Sequence, residues 1–195
     1  MNIFLQLKHW QLFLLLFVVP FGAMIAMMGI IISQDDPTLL FSIYPWVMAY
    51  YMLLFIGWFW SVGAHLHPKL PPDVRMNLKM FKWFLIIPMV YILLVVFFLF
   101  GFIRQFTDFE NMNPEDMPDM SGLAYLFLII PVHLFSIFCL FYCIYFVAKL
   151  LKCVELQKEV SLSDFIGEFV LVWILPIGVW FIQPRINQIY EESHV

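Results

Sequence analysis

Two ionisable side chains in this sequence stand in apolar surroundings where charge or proton chemistry would be possible. Glu168 lies inside an apolar segment at residues 165–182, and His133 lies near the centre of another at residues 122–148. An unpaired carboxylate in hydrocarbon is unfavourable by several kcal/mol, so Glu168 reads as a proton or cation site, or as the partner of His133 or of Arg185 just past the segment. It also follows Asp164 by one helical turn, which allows a structural role at headgroup depth, favoured by the helix dipole. His133 follows Pro131 and can donate to a carbonyl that the proline frees; Ser136, Leu140 and Cys143 continue its face as a small polar track.

Other chemistry finds less support. His65 and His67, with His9 at similar depth, lack the paired mid-helix spacing that a transmembrane haem needs. Met112, Met117 and Met120 form a thioether tract of the kind that selects Cu(I), but in a methionine-rich chain they assign no metal. Cys139, Cys143 and Cys153 lie in or just after the fourth apolar segment and read as small apolar side chains. There is no His-Glu-x-x-His, Gly-x-Ser-x-Gly, phosphate-binding glycine loop or Cys-x-x-Cys. No catalytic residue, metal or cofactor is assigned.

The elements that must position these groups belong to a membrane. Of the 195 residues, 64% are hydrophobic and only 12% charged, far from the make-up of a soluble domain. The 23 Phe, 7 Trp and 8 Tyr suit lipid-facing surface and interfacial belts. No basic tract is long enough for nucleic acid. The expected fold is all-α and integral to the membrane: a single domain with transmembrane helices near residues 12–32, 39–64, 83–103 and 122–148, followed by a kinked or re-entrant fifth segment at 165–182. The first segment is too long for a signal-peptide core and reads as a retained helix. Within it Gly22, Ala26, Gly29 and Ser33 form one stripe of small residues where another helix can approach closely, within the chain or in a second copy. Pro20 should leave the Leu16 carbonyl to a neighbour or a kink. Asp73 should cap a helix carrying Arg75, Lys79 and Lys82 on one face, a basic anchor for anionic headgroups.

Orientation follows from Lys and Arg. With the N-terminus cytoplasmic, Lys8, Lys69, Arg75, Lys79, Lys82, Lys149, Lys152 and Lys158 fall inside and only Arg104 outside, leaving Arg185 to be placed. The loop at residues 105–121 is then external, with its acids and three methionines.

The fifth segment decides the topology. One straight helix of 18 residues reaches about 27 Å, barely a span, and puts Arg185 outside. A surface helix is disfavoured because apolar residues occupy every face. A re-entrant hairpin, entering from Asp164, breaking at Pro176 and Gly178 and returning Arg185 to the cytoplasm, fits the charges best. It requires that the break be buried in protein. The string from Asp164 through Glu168, Trp173, Pro176 and Gly178 to Gln183, Pro184, Arg185 and Asn187 resembles the C-terminal signature of small bacterial multi-pass membrane proteins of uncharacterised function. It covers about an eighth of the chain. The resemblance implies the bacterial inner membrane and supplies no catalytic residue.

The favoured expectation is a non-enzymatic membrane subunit or sensor acting through helix contacts with a protein partner or with its own copies in the lipid bilayer. The alternatives are an oligomeric channel or transporter with a path near Glu168 and Pro176, and a membrane redox or metal-binding protein.

Overall fold

The computed structural model describes residues 3–34, 38–107 and 124–192, and every regular element among them is helical. Residues 108–121 of the loop expected to be external, with Met112, Met117 and Met120, lie outside these residues, as do residues 35–37 after the first membrane helix. The chain begins with a short helix α1 (Ile3–Gln6), bends at Leu7 and Lys8, and continues through α2 (His9–Phe13), a π-helical turn at Leu14–Val18 and α3 (Val19–Gln34). Then come α4 (Thr38–Leu66), α5 (Leu78–Thr107), α6 (Ala124–Leu156), α7 (Leu162–Trp173) and α8 (Leu175–Glu192).

Four of these helical stretches are long and apolar enough to cross a membrane: His9–Gln34, Ile43–Lys69, Leu78–Phe98 and Ile129–Leu156. Each helix outruns the apolar run that marks it in the sequence, because straight-chain flanking residues such as Lys149, Lys152 and Glu155 continue the helical ladder as readily as the apolar core does. The helix after the basic loop starts at Leu78, with the Asn77 side chain accepting from the Met80 N–H at 3.0 Å. Asp73 therefore does not cap it, and Arg75 lies outside the helix. The irregularity expected near Leu16 takes the form of the π-helical turn, ahead of Pro20; there the Leu15 carbonyl accepts from the Tyr50 hydroxyl at 3.3 Å.

The core is concentrated toward one end. Leu12, Leu16, Trp58, Phe59, Val62, Leu66, Phe81, Leu85, Phe146, Val147, Leu150 and Leu151 are buried together there with Val172, Val179, Ile182 and Ile186 of the last two helices. Phe81 stacks on Phe146 with centroids 4.3 Å apart, and the Lys82 ammonium stands 4.7 Å from the centroid of the Trp60 ring. Toward the other end, Phe21, Ile25, Ile32, Trp46, Leu94, Phe97 and Leu134 are exposed. The packed end is also the basic end. Lys69 Nζ donates to the Ile189 carbonyl at 2.6 Å and Gln157 Nε2 to the Lys69 carbonyl at 3.3 Å, which ties the ends of α4, α6 and α8 together.

The fifth apolar segment consists of two antiparallel helices. α7 runs back along α6, setting Phe165 against Tyr145, and Phe169 and Trp173 against Phe141. The chain turns at Ile174 (φ −92°, ψ 60°), whose carbonyl accepts from the Ile177 and Gly178 N–H groups. The interruption thus precedes Pro176, which occupies the second position of α8, where a missing N–H leaves no intrahelical bond unmade. Gly178 is the point of closest approach: a Cβ there would collide with the backbone carbonyl of Leu171 in the facing arm.

Candidate functional site

α7 carries its polar group on the inside. Phe165, Glu168 and Val172, at spacings of three and four, are buried, whereas Ile166, Val170 and Trp173 are exposed. α8 repeats the pattern, with Gln183 fully buried and Ile177, Trp180 and Phe181 exposed. Large apolar side chains are exposed while the carboxylate and the amide are turned into an otherwise apolar interior, the reverse of where a helical hairpin in water would put its charged and apolar groups.

Glu168 meets Arg185 across the hairpin and Lys152 of α6. Its Oε1 accepts from Arg185 Nη2 at 2.7 Å and from Lys152 Nζ at 3.0 Å. Arg185 also grips Glu155 of α6 with Nε and Nη2, one on each carboxylate oxygen. The planar guanidinium holds Glu155 in a two-nitrogen fork while reaching Glu168, a geometry that the single nitrogen of an ammonium does not offer. Two carboxylates and two cations balance in formal charge. The Glu168 side chain keeps 9% of its surface exposed and that of Arg185 30%.

Of the partners expected for Glu168, the structure brings Arg185 and leaves His133 elsewhere. His133 shares a 3.2 Å hydrogen bond between its Nδ1 and the Tyr91 hydroxyl on the exposed face of the α5–α6 pair. His65 and His67 engage the carbonyls of Ser61 and Met76, and His9 packs 4.9 Å from the Trp180 ring. Among the described residues no group of three or more His, Cys, Asp or Glu is placed to hold a metal ion. Gly22, Ala26, Gly29 and Ser33 all face outward, and a Cβ added at Gly22 or Gly29 would meet nothing within 4 Å. The stripe therefore does not pack within the chain.

Sequence reasoning missed Lys152 and Glu155 as partners, although their spacing of three on one helix is the signal that sets both toward the same neighbour. It also missed a second polar node. Gln183 accepts from Trp58 Nε1 at 2.9 Å and donates to the carbonyls of Phe4 and Leu7 at 2.8 and 2.9 Å. Asn187, one turn on, donates to the carbonyls of Leu5 and Leu7. Where α1 ends and the chain bends into α2, carbonyls without helical partners are thus satisfied by amides of α8.

At the entry to the hairpin, the Asp164 carboxylate accepts from the Ser161 hydroxyl at 2.7 Å and the Ser161 N–H at 2.8 Å. These bonds, the hydroxyl's foremost, hold its pKa below the ordinary carboxylate value. A cleft of about 560 Å³ opens beside the cluster, lined by Lys69, Glu155, Gln157, Arg185, Gln188 and Glu192. Glu168 is not among its lining residues.

The fold and site define an all-helical protein with four helices suited to crossing a membrane and a paired-helix element at its basic end. No protein-family model, curated protein sequence or solved structure matches the chain.

Proposed function

We propose that the protein is a non-enzymatic subunit or sensor of a bacterial inner membrane, with both termini cytoplasmic. In this reading the hairpin of α7 and α8 is re-entrant from the cytoplasmic side, and the protein works through helix contacts with a partner or with its own copies. The observation that carries it is the engagement of Glu168 by Arg185 and Lys152 in a balanced cluster. A carboxylate held by two cations braces the hairpin against α6 and is a poor stepping stone for an ion in transit. The apolar outer face of the hairpin, with Glu168 and Gln183 turned inward, supports insertion into lipid. At 12 residues α7 is about 18 Å long, roughly half the way through a bilayer with its headgroups. The positive-inside rule puts the basic end in the cytoplasm.

The outward stripe of Gly22, Ala26 and Gly29 is the contact surface this reading assigns to a neighbouring helix. The test is paired. In proteoliposomes, copies bearing Gly22→Cys should cross-link to one another or to a reconstituted partner helix, and Gly29→Leu should abolish the link while the chain stays folded. Ion flux through wild type and Glu168→Gln should both remain at the lipid background. A wild-type flux that Glu168→Gln abolishes would replace this reading with the channel alternative.

A further inference from the structure

The helices are distributed unequally between the two halves of the bundle. At the basic end, a section cuts the first membrane helix around Leu12 and Leu16, α4 around Phe59, α5 around Leu85 and α6 around Phe146, and also both α7 and α8. Toward the opposite end, among the described residues, only α3 and the remote halves of α4, α5 and α6 continue, because the hairpin turns at Ile174. The cross-section is therefore six helices wide in one half and four in the other. Burial follows the same gradient, with the packed cluster in the wide half and exposed Phe21, Trp46, Leu94 and Leu134 in the narrow one.

Resting on the reading of the hairpin as inserted into lipid, we propose that the protein is a molecular wedge that recognises membrane curvature. Its interaction surface is the exposed outer face of the hairpin, Ile166, Trp173, Ile174, Ile177, Trp180 and Phe181, and the partner is the acyl region of a single leaflet. A body that occupies more area in one leaflet is accommodated at least cost where that leaflet is stretched relative to the other, because the added helices fill area that lipid chains would otherwise leave thinly covered. The braces between hairpin and bundle, Glu168–Lys152, Arg185–Glu155 and Gln183–Trp58, keep the wedge rigid. The sign follows from the shape: the protein favours bilayers that are convex on the side of the basic end.

The test uses full-length protein in giant phosphatidylcholine vesicles from which narrow tubes are drawn. An impermeant dye on Lys158→Cys reports only molecules with the basic end outward; the native cysteines are buried. The same dye on Gln34→Cys, exposed at the far end of α3, reports only the opposite orientation. The first population should be enriched in the tube about twofold or more over the vesicle, and the second should be depleted. A third label at Ile174→Cys should be quenched by nitroxides on the lipid acyl chains. If Ile174 is quenched but both populations partition equally, or sort with the same sign, the wedge is wrong and the inserted hairpin stands. If Ile174→Cys instead reacts with an impermeant reagent, the hairpin does not enter lipid, and both the reading and the wedge fail.

Discussion

Arg185 joins the two arms of the hairpin to each other and to α6: its Nη2 lies 2.7 Å from Glu168 Oε1, while the same guanidinium holds Glu155. The two carboxylates stand close enough to repel, and Arg185 is the group that turns this repulsion into a brace. Removing it should cost more than removing either acid. Arg185→Ala is expected to destabilise the protein by about 3 kcal/mol, the low end for a broken buried pair, since part of the guanidinium remains solvated. Glu168→Gln, which keeps an acceptor for Arg185, should cost about 1 kcal/mol. Arg185→Lys should behave like Arg185→Ala more than like wild type, because a single ammonium nitrogen on a shorter stem cannot reproduce the two-nitrogen fork on Glu155 while reaching Glu168. Denaturation of the three variants in detergent checks the order, and equal effects would remove the bridging role.

The hairpin closes only because residue 178 has no side chain. Gly178→Ala forces a methyl group onto the Leu171 carbonyl, a rigid backbone atom that cannot swing aside. The arms must separate, at a cost of about 1–3 kcal/mol, enough to expose Ile182 and Gln183 to hydrogen exchange. Gly167→Ala is the control: a Cβ there meets nothing within 4 Å, and the gain in helix propensity should stabilise α7 by up to about 1 kcal/mol. Opposite signs for two glycine-to-alanine changes in one hairpin are the expected result.

Much of this architecture was legible in the sequence. The long apolar runs announced four helices able to cross a membrane, because a span of hydrocarbon leaves a one-dimensional signature. Arg185 was legible as one of two partners for Glu168, since it is the cation that follows the apolar segment carrying the carboxylate. Lys152 and Glu155 were hidden because Lys152 was read only by its sign and its loop and Glu155 was not singled out, while their pairing depends on which face of α6 meets α7. The break was misplaced by two residues. A proline inside an apolar run looks like an interruption, yet in α8 Pro176 starts the second helix, and the turn falls at Ile174. The glycine stripe was correct as a pattern, but a pattern along one helix carries no information on which side the neighbours lie.

The entry to the hairpin should be sensitive to acid. The Ser161 hydroxyl and N–H hold the Asp164 pKa below its ordinary value. A carboxylate whose folded pKa is depressed contributes stability that is complete above its unfolded pKa, about 4, and is lost as the pH falls through the lower folded value. The first turn of α7 should therefore keep its amide protection down to about pH 4 and lose it progressively below. Ser161→Ala should shift the loss to higher pH, toward the ordinary value, and Asp164→Asn should abolish the pH dependence. Amide exchange at residues 162–166 between pH 2 and 6 reads both; an unchanged profile in Ser161→Ala would assign the shift elsewhere.

Gln183 couples the two ends of the chain, and its geometry separates what its oxygen does from what its nitrogen does. The oxygen accepts from Trp58, and the nitrogen donates to the Phe4 and Leu7 carbonyls, all in a fully buried position. Gln183→Glu keeps the acceptor and loses the donor, so it should leave the Trp58 bond in place while confronting two carbonyl oxygens with a carboxylate. Gln183→Leu loses both and leaves the indole N–H and the Phe4 carbonyl without these partners, while the Leu7 carbonyl keeps Asn187; each unmet group costs about 1–3 kcal/mol. Both variants should release α1 from α8, read as faster proteolysis near Lys8, but only Gln183→Leu should shift the Trp58 fluorescence in a protein whose other tryptophans are replaced by phenylalanine. If Gln183→Leu frees the N-terminus without disturbing Trp58, the indole is held by packing, as against Phe59; if the N-terminus stays docked in Gln183→Leu, the coupling runs through Asn187.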